Sequence, residues 1–371
     1  MHNHLLCVVI SSLLMLISAP EVYEFYYEYI IIGSPEQTIY ITLSLTTDVI
    51  FMISANCGEL NTLECPNYCY NSDFGEMYCT KECQRIDDVE WCKKPIYTRS
   101  HLFKTINSST FALTGDFWTG NLEGHSRQIG QWAQENISFT SSISSSTLQL
   151  EDWLYVSGMI VDLRLIYANK GILGLAPGKS NFVQLLYEQN RIPKPVVSMS
   201  INRFMTLGDY NSVDCSNWWH KKAVGSSWIL KFDSVHFLNQ TSISNVVITF
   251  DFTSDKTYIP DVYFDLLFRS SVIVRHFDGN YHVSCDVNLD IKFTADTQQL
   301  VISSSAIIER HELRKGRCTI SVFPIRDWKY DSRMYVDEPQ WVFGSNFYGG
   351  FCLGYNYETN EIAIGNFIVP S

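Results

Sequence analysis

Short runs of alternating apolar and polar residues dominate the chain, the pattern of half-buried strands. Tyr26 to Ile32, Thr38 to Leu45, Val246 to Phe250 and Glu361 to Val369 are rich in β-branched and aromatic residues and bounded by Gly, Asn, Asp and Ser. Each predicts a strand. Two segments break the pattern and predict short helices. Asn181 to Asn190 has Asn181 placed as a cap with Gln184 three residues on, and Asp261 to Arg269 is opened by Pro260, with Val262, Phe264, Leu266 and Leu267 giving an apolar side. The fold class expected is mainly β, and no low-complexity linker divides the chain.

Leu5 to Ala19 is apolar throughout except for Ser11, Ser12 and Ser18, and Pro20 follows it. At 15 residues it falls short of the roughly 20 needed to span a bilayer, so it predicts a secretory signal peptide over residues 1–19. Composition then narrows the partners. The 371 residues carry 27 basic and 39 acidic side chains, a net charge of -12. The sequence lacks the clustered Lys and Arg that nucleic-acid phosphates call for, which argues against nucleic acid as a partner. Removing Cys7 with the leader turns 11 cysteines into 10, an even number. Six of them, Cys57, Cys65, Cys69, Cys79, Cys83 and Cys92, crowd one segment, where C-x3-C spacings allow zinc ligation but an exported chain favours three local disulfides. Asn107, Asn136 and Asn239 head N-glycosylation sequons, meaningful only on an exported chain.

The two halves echo each other. Leu43-Ser44-Leu45-Thr46-Thr47 and Phe250-Asp251-Phe252-Thr253-Ser254 each follow a strand, and each half later has an apolar run ending in Gly, at Ile172-Leu173-Gly174 and Trp341-Val342-Phe343-Gly344. This order resembles the pepsin-like aspartic peptidase family almost end to end, from about Tyr26 to Ile368. Gly33-Ser34-Pro35-Glu36-Gln37 is similar to its first turn, and Gly171-Ile-Leu-Gly-Leu-Ala176, Trp228 to Val235, Cys285 to Phe293 and Asn360 to Gly365 follow in the family order. The resemblance implies a bilobal double-β-barrel fold with an interlobe cleft, an N-terminal lobe over 20–203 containing the Cys-rich loop 57–92, and a C-terminal lobe over 204–371. It further implies Cys285–Cys318 and Cys215–Cys352 disulfides, with the six N-lobe cysteines pairing in one of 15 ways.

Such enzymes set two carboxylates side by side so that the pair holds one proton; one acid takes a proton from water while the other gives one to the substrate carbonyl. Counting seven residues on from Gln37, or 13 back from Cys57, the first acid position holds Ser44. Asp48 is the alternative nearby, but using it would move the site into the apolar run from Val49 to Ile53, whose Phe51 matches a family aromatic seven residues after the acid. The second motif keeps Asp251, nine residues before Pro260.

Other positions depart in the same direction. Leu45 and Phe252 stand where the family has a Thr that donates across the lobe interface, and Thr46 and Thr253 stand where it has Gly. Thr47 and Ser254 keep hydroxyls suited to supporting an acid. The flap is matched to Phe111 to Gly120, with Leu113 where the family has a substrate-covering Tyr. Few residues separate the leader from the first strand, leaving no room for an inhibitory propeptide. Ser44 with Asp251 as a nucleophile and base is disfavoured, since a carboxylate is a weak base for an alcohol and no His has a claim to the site.

Three readings remain open: an exported homologue that binds peptide or protein in the cleft without cutting it, an active endopeptidase with a divergent dyad using Asp251, and a structural or ligand-carrying protein. The resemblance implies no cofactor, no metal, no stable membrane span and a monomer, delivered outside the cell or to the lysosome.

Overall fold

Ile39, Ile41 and Leu43 are buried while Thr38 and Tyr40 face solvent, so the period-two pattern fixes which face of this strand meets the core. The structure is a computed structural model. It describes residues 23–26, 29–53, 103–121, 127–140, 147–159, 171–178, 181–200, 204–225, 227–237, 246–251, 254, 256–270, 272–275, 281–295, 298–304, 307–310, 317–327, 341–345, 347 and 350–368. The expected signal peptide over 1–19, the Cys-rich loop 57–92, Asn239, Phe252 and Thr253 lie outside the described residues.

The first half contains β1 (Tyr23–Tyr26), β2 (Tyr29–Ile32), β3 (Gln37–Ser44), β4 (Ile50–Ile53), β5 (Ala112–Asn121), β6 (Arg127–Thr140), β7 (Thr147–Met159), β8 (Gly171–Gly174), α1 (Phe182–Glu188), β9 (Val196–Met199) and β10 (Phe204–Leu207). Seven of these strands form one sheet in the order β2-β3-β8-β4-β7-β6-β5, and a further β2–β6 pairing curls it round. The predicted strand at Tyr26 to Ile32 is two strands, β1 and β2, which join different sheets.

The second half contains β11 (Cys215–Lys222), β12 (Ile229–Phe232), β13 (Ser234–His236), β14 (Val246–Phe250), β15 (Thr257–Ile259), α2 (Asp261–Arg269), β16 (Ile273–Arg275), β17 (Tyr281–Ser284), β18 (Ile291–Ala295), β19 (Gln298–Ile302), β20 (Ile308–Arg310), β21 (Arg317–Ile320), β22 (Val322–Pro324), β23 (Trp341–Phe343), β24 (Phe351–Asn356) and β25 (Glu361–Phe367). Its central sheet runs β12-β14-β23-β15-β22, beside sheets β13-β18-β19 and β16-β17-β21-β20. A six-stranded sheet, β1-β10-β9-β24-β25-β11, draws on both ends of the chain and ties the halves together. The protein is mainly β, in a bilobal pepsin-like arrangement.

Helix α1 begins as the sequence predicts. The Asn181 side chain accepts from the backbone N–H groups of Val183 (2.9 Å) and Gln184 (3.3 Å) and donates to the Ala176 carbonyl, which satisfies donors that a helix start leaves free. Helix α2 has its predicted bounds, but its buried face is Tyr263, Phe264 and Leu267. Val262 is exposed instead, because it is one residue away from that face and the 3.6-residue turn carries it outward.

The C-half disulfides form as the resemblance implied, Cys215–Cys352 joining β11 to β24 and Cys285–Cys318 closing the 33-residue separation that leads into β21. Their Cα separations of 6.2 and 5.1 Å suit a disulfide.

Candidate active site

Each half repeats one strand arrangement. In the first, β3 runs parallel to β8, β8 is antiparallel to β4, and β4 is parallel to β7. In the second, β14 is parallel to β23, β23 is antiparallel to β15, and β15 is parallel to β22. The central strands β8 and β23 are buried at every position, which explains why they read as unbroken apolar runs.

The register makes the equivalence residue-specific. Leu43 pairs with Leu173 and Ser44 with Gly174. Phe250 pairs with Phe343, one residue before Asp251 and Gly344. Ser44 and Asp251 therefore hold corresponding places at the ends of corresponding strands. The turns that follow match as well. Thr47 Oγ1 accepts from the N–H of Val49 at 3.4 Å, and Ser254 Oγ accepts from that of Lys256 at 3.1 Å. Thr47 and Ser254 each lie three residues past the equivalent position, and each hydroxyl stabilises its own turn.

The glycines after the apolar runs are held to their identity by these turns. A Cβ on Gly174 would sit 2.5 Å from the carbonyl oxygens of both Thr47 and Val49, and one on Gly344 would crowd those of Lys256 and Ser254. Backbone cannot yield as a flexible side chain would. Gly174→Ala and Gly344→Ala are each expected to cost about 1–3 kcal/mol, read from denaturant midpoints; a cost confined to one of the two would contradict the equivalence of the turns.

Ser44 is buried, and its Oγ accepts from the N–H of Thr46 and shares a hydrogen bond with Thr46 Oγ1, both at 3.2 Å. Its carbonyl accepts from Leu175 N–H at 2.7 Å. Asp251 is half-buried, and its N–H donates to the Phe343 carbonyl. Asp48 lies apart from this geometry: its carboxyl packs against Gly178, where a Cβ would overlap it.

Leu175 links the two halves. Its carbonyl accepts from Trp228 Nε1 at 2.6 Å and from the Tyr357 hydroxyl at 2.8 Å. Burial pushes the Tyr357 phenol well above its ordinary range, against a smaller opposing pull from a hydrogen bond with Asn181, so it remains a donor. The Trp228 ring packs on Tyr355 and Tyr357 at 4.7 and 5.1 Å.

Three further residues that the resemblance sets at the cleft take these places. Phe51 is fully buried, paired with Ile172 and Val156. Leu45 belongs to the hydrophobic core. Leu113 is exposed, but β5 and β6 form a hairpin in which it pairs with Ala133, while Asn121 pairs with Arg127. Between Leu113 and Phe117 that pairing shifts register. Thr46, by contrast, is exposed beside Ser44.

A family model described as eukaryotic aspartyl protease matches residues 25–367. The chain belongs to this family. No curated protein matches the chain. Within an aspartyl protease framework, the corresponding strand ends are where the family resemblance places two acids, and here one bears a carboxyl and the other a hydroxyl. Among the described residues no group of three or more His, Cys, Asp or Glu could hold a metal ion, and no helix is long and apolar enough to cross a membrane.

Proposed function

We propose that this aspartyl protease relative is exported, carries no ordinary peptidase activity, and binds peptide or protein segments in the groove between its lobes. The observation that carries the reading is the register that sets Ser44 in the place corresponding to Asp251. A single carboxylate cannot both take a proton from water and give one to the carbonyl, so the shared-proton chemistry of a dyad is lost. Binding depends on other things, namely backbone hydrogen bonds and apolar pockets, and these need no second acid. The leader at 1–19 and the disulfides support delivery outside the cell or to the lysosome.

A peptide-library binding screen tests this with Thr46→Trp as the control, since Thr46 is exposed next to Ser44 and its enlargement leaves the core untouched. Peptides selected by the unaltered chain should bind the variant at least about tenfold more weakly, a change of about 1.4 kcal/mol. Absence of any selected peptide, or affinity indifferent to the substitution, would contradict a groove at this place.

A further inference from the structure

Two of the three sequons, distant in sequence, meet at one turn. Asn107 is the last residue of the 3-10 turn Thr105–Asn107 and is exposed. Asn136 lies in β6, where the pairing with β7 shifts register between Glu135 and Ile137. Glu135 and Ile137 on either side are buried, whereas Asn136 faces solvent. The Gly33–Ser34 turn joins the two. Gly33 N–H donates to the Asn136 carbonyl at 2.9 Å. The Ser34 carbonyl accepts from Ser109 N–H at 2.7 Å and from Ser109 Oγ at 3.0 Å, and Ser34 N–H donates to Ser108 Oγ. Next to Asn107 stands Ile106, 81% exposed, the most exposed large hydrophobic side chain among the described residues.

We propose that Asn107 and Asn136 carry a pair of N-linked oligosaccharides side by side across the Gly33–Ser34 turn, the first shielding Ile106 from solvent. The inference rests on the export reading above. The donor is an oligosaccharide on a lipid diphosphate. Asn Nδ2 bonds to the anomeric carbon as that carbon's bond to the diphosphate oxygen breaks, the amide proton passes to the transferring enzyme's base, and the lipid diphosphate leaves. The transfer is compatible with folding only where the asparagine stays outside the core, as both do.

The full-length chain, expressed in a eukaryotic secretory cell, tests the proposal by peptide mapping after enzymatic deglycosylation in heavy-oxygen water, which leaves a labelled Asp at each occupied site. Both positions should be labelled. Asn107→Gln and Asn136→Gln should each remove one glycan's mass, and Ser109→Ala and Ser138→Ala should do the same with the asparagine intact. Chain recovered from the medium, cut near residue 19 but unlabelled at either position, would overturn this inference alone. Chain retained in the cytosol with its leader would overturn the export reading and this inference with it.

Discussion

Trp228→Ala is expected to destabilise the protein by about 3–5 kcal/mol, the range for emptying a fully buried large aromatic site. Trp228 is among the largest fully buried side chains, and its ring packs on Tyr355 and Tyr357. Truncation also takes one of two donors from the Leu175 carbonyl. Trp228→Phe separates these contributions, because the ring volume is largely kept and Tyr357 still donates. Its cost should be nearer the net value of one hydrogen bond, about 0.5–1.5 kcal/mol, plus a small packing loss. Denaturant unfolding of both variants measures the difference. Equal costs would show that the hydrogen bond, and not the aromatic packing, carries the stabilisation.

The bond matters for the site as well as for stability. Trp228 and Tyr357 come from the second half, and they hold the carbonyl of the residue whose N–H binds the Ser44 carbonyl. None of this could be read from the sequence, since a pairing over 53 or 182 positions leaves no local periodicity. The strands were legible where one face is buried: β14 has the predicted bounds and β3 differs by one residue at each end. The division into β1 and β2 was not, because Tyr26 to Ile32 is apolar or aromatic at every position but Glu28. Helix α1 was legible through its cap, Asn181, while the exposed side of α2 was misjudged at Val262 because a nine-residue helix of mostly apolar residues offers more than one plausible face.

The site followed the same rule. Ser44 and Asp251 were found by counting from flanking Gln37 and Pro260, and the strand registers make them correspond without any counting. Leu45 and Phe51 were set at the cleft by the resemblance, and their burial shows only in the packing of the end of β3 and of β4.

Turnover of a denatured protein substrate at acidic pH is expected to fall short of an intact carboxylate pair by about two to four orders of magnitude, the usual share of general acid–base catalysis. The hydroxyl of Ser44 is already engaged with Thr46 and has no carboxyl proton to share with Asp251. Ser44→Asp alone should restore little. A carboxylate at this buried position would have to be desolvated. Leu45 offers no hydroxyl across the interface, and Thr46, Phe252 and Thr253 remain where the family pattern has Gly, Thr and Gly.

The most direct test of the proposed loss of the dyad is an acid-pH peptidase assay on purified, unaltered chain, run with and without pepstatin, an inhibitor that aspartic peptidases bind in place of the reacting peptide. The account predicts cleavage at least about two orders of magnitude below that of an intact carboxylate pair, with a product profile that pepstatin does not change. Robust cleavage abolished by stoichiometric pepstatin would contradict it, and would mean that a second acid serves Asp251 after all.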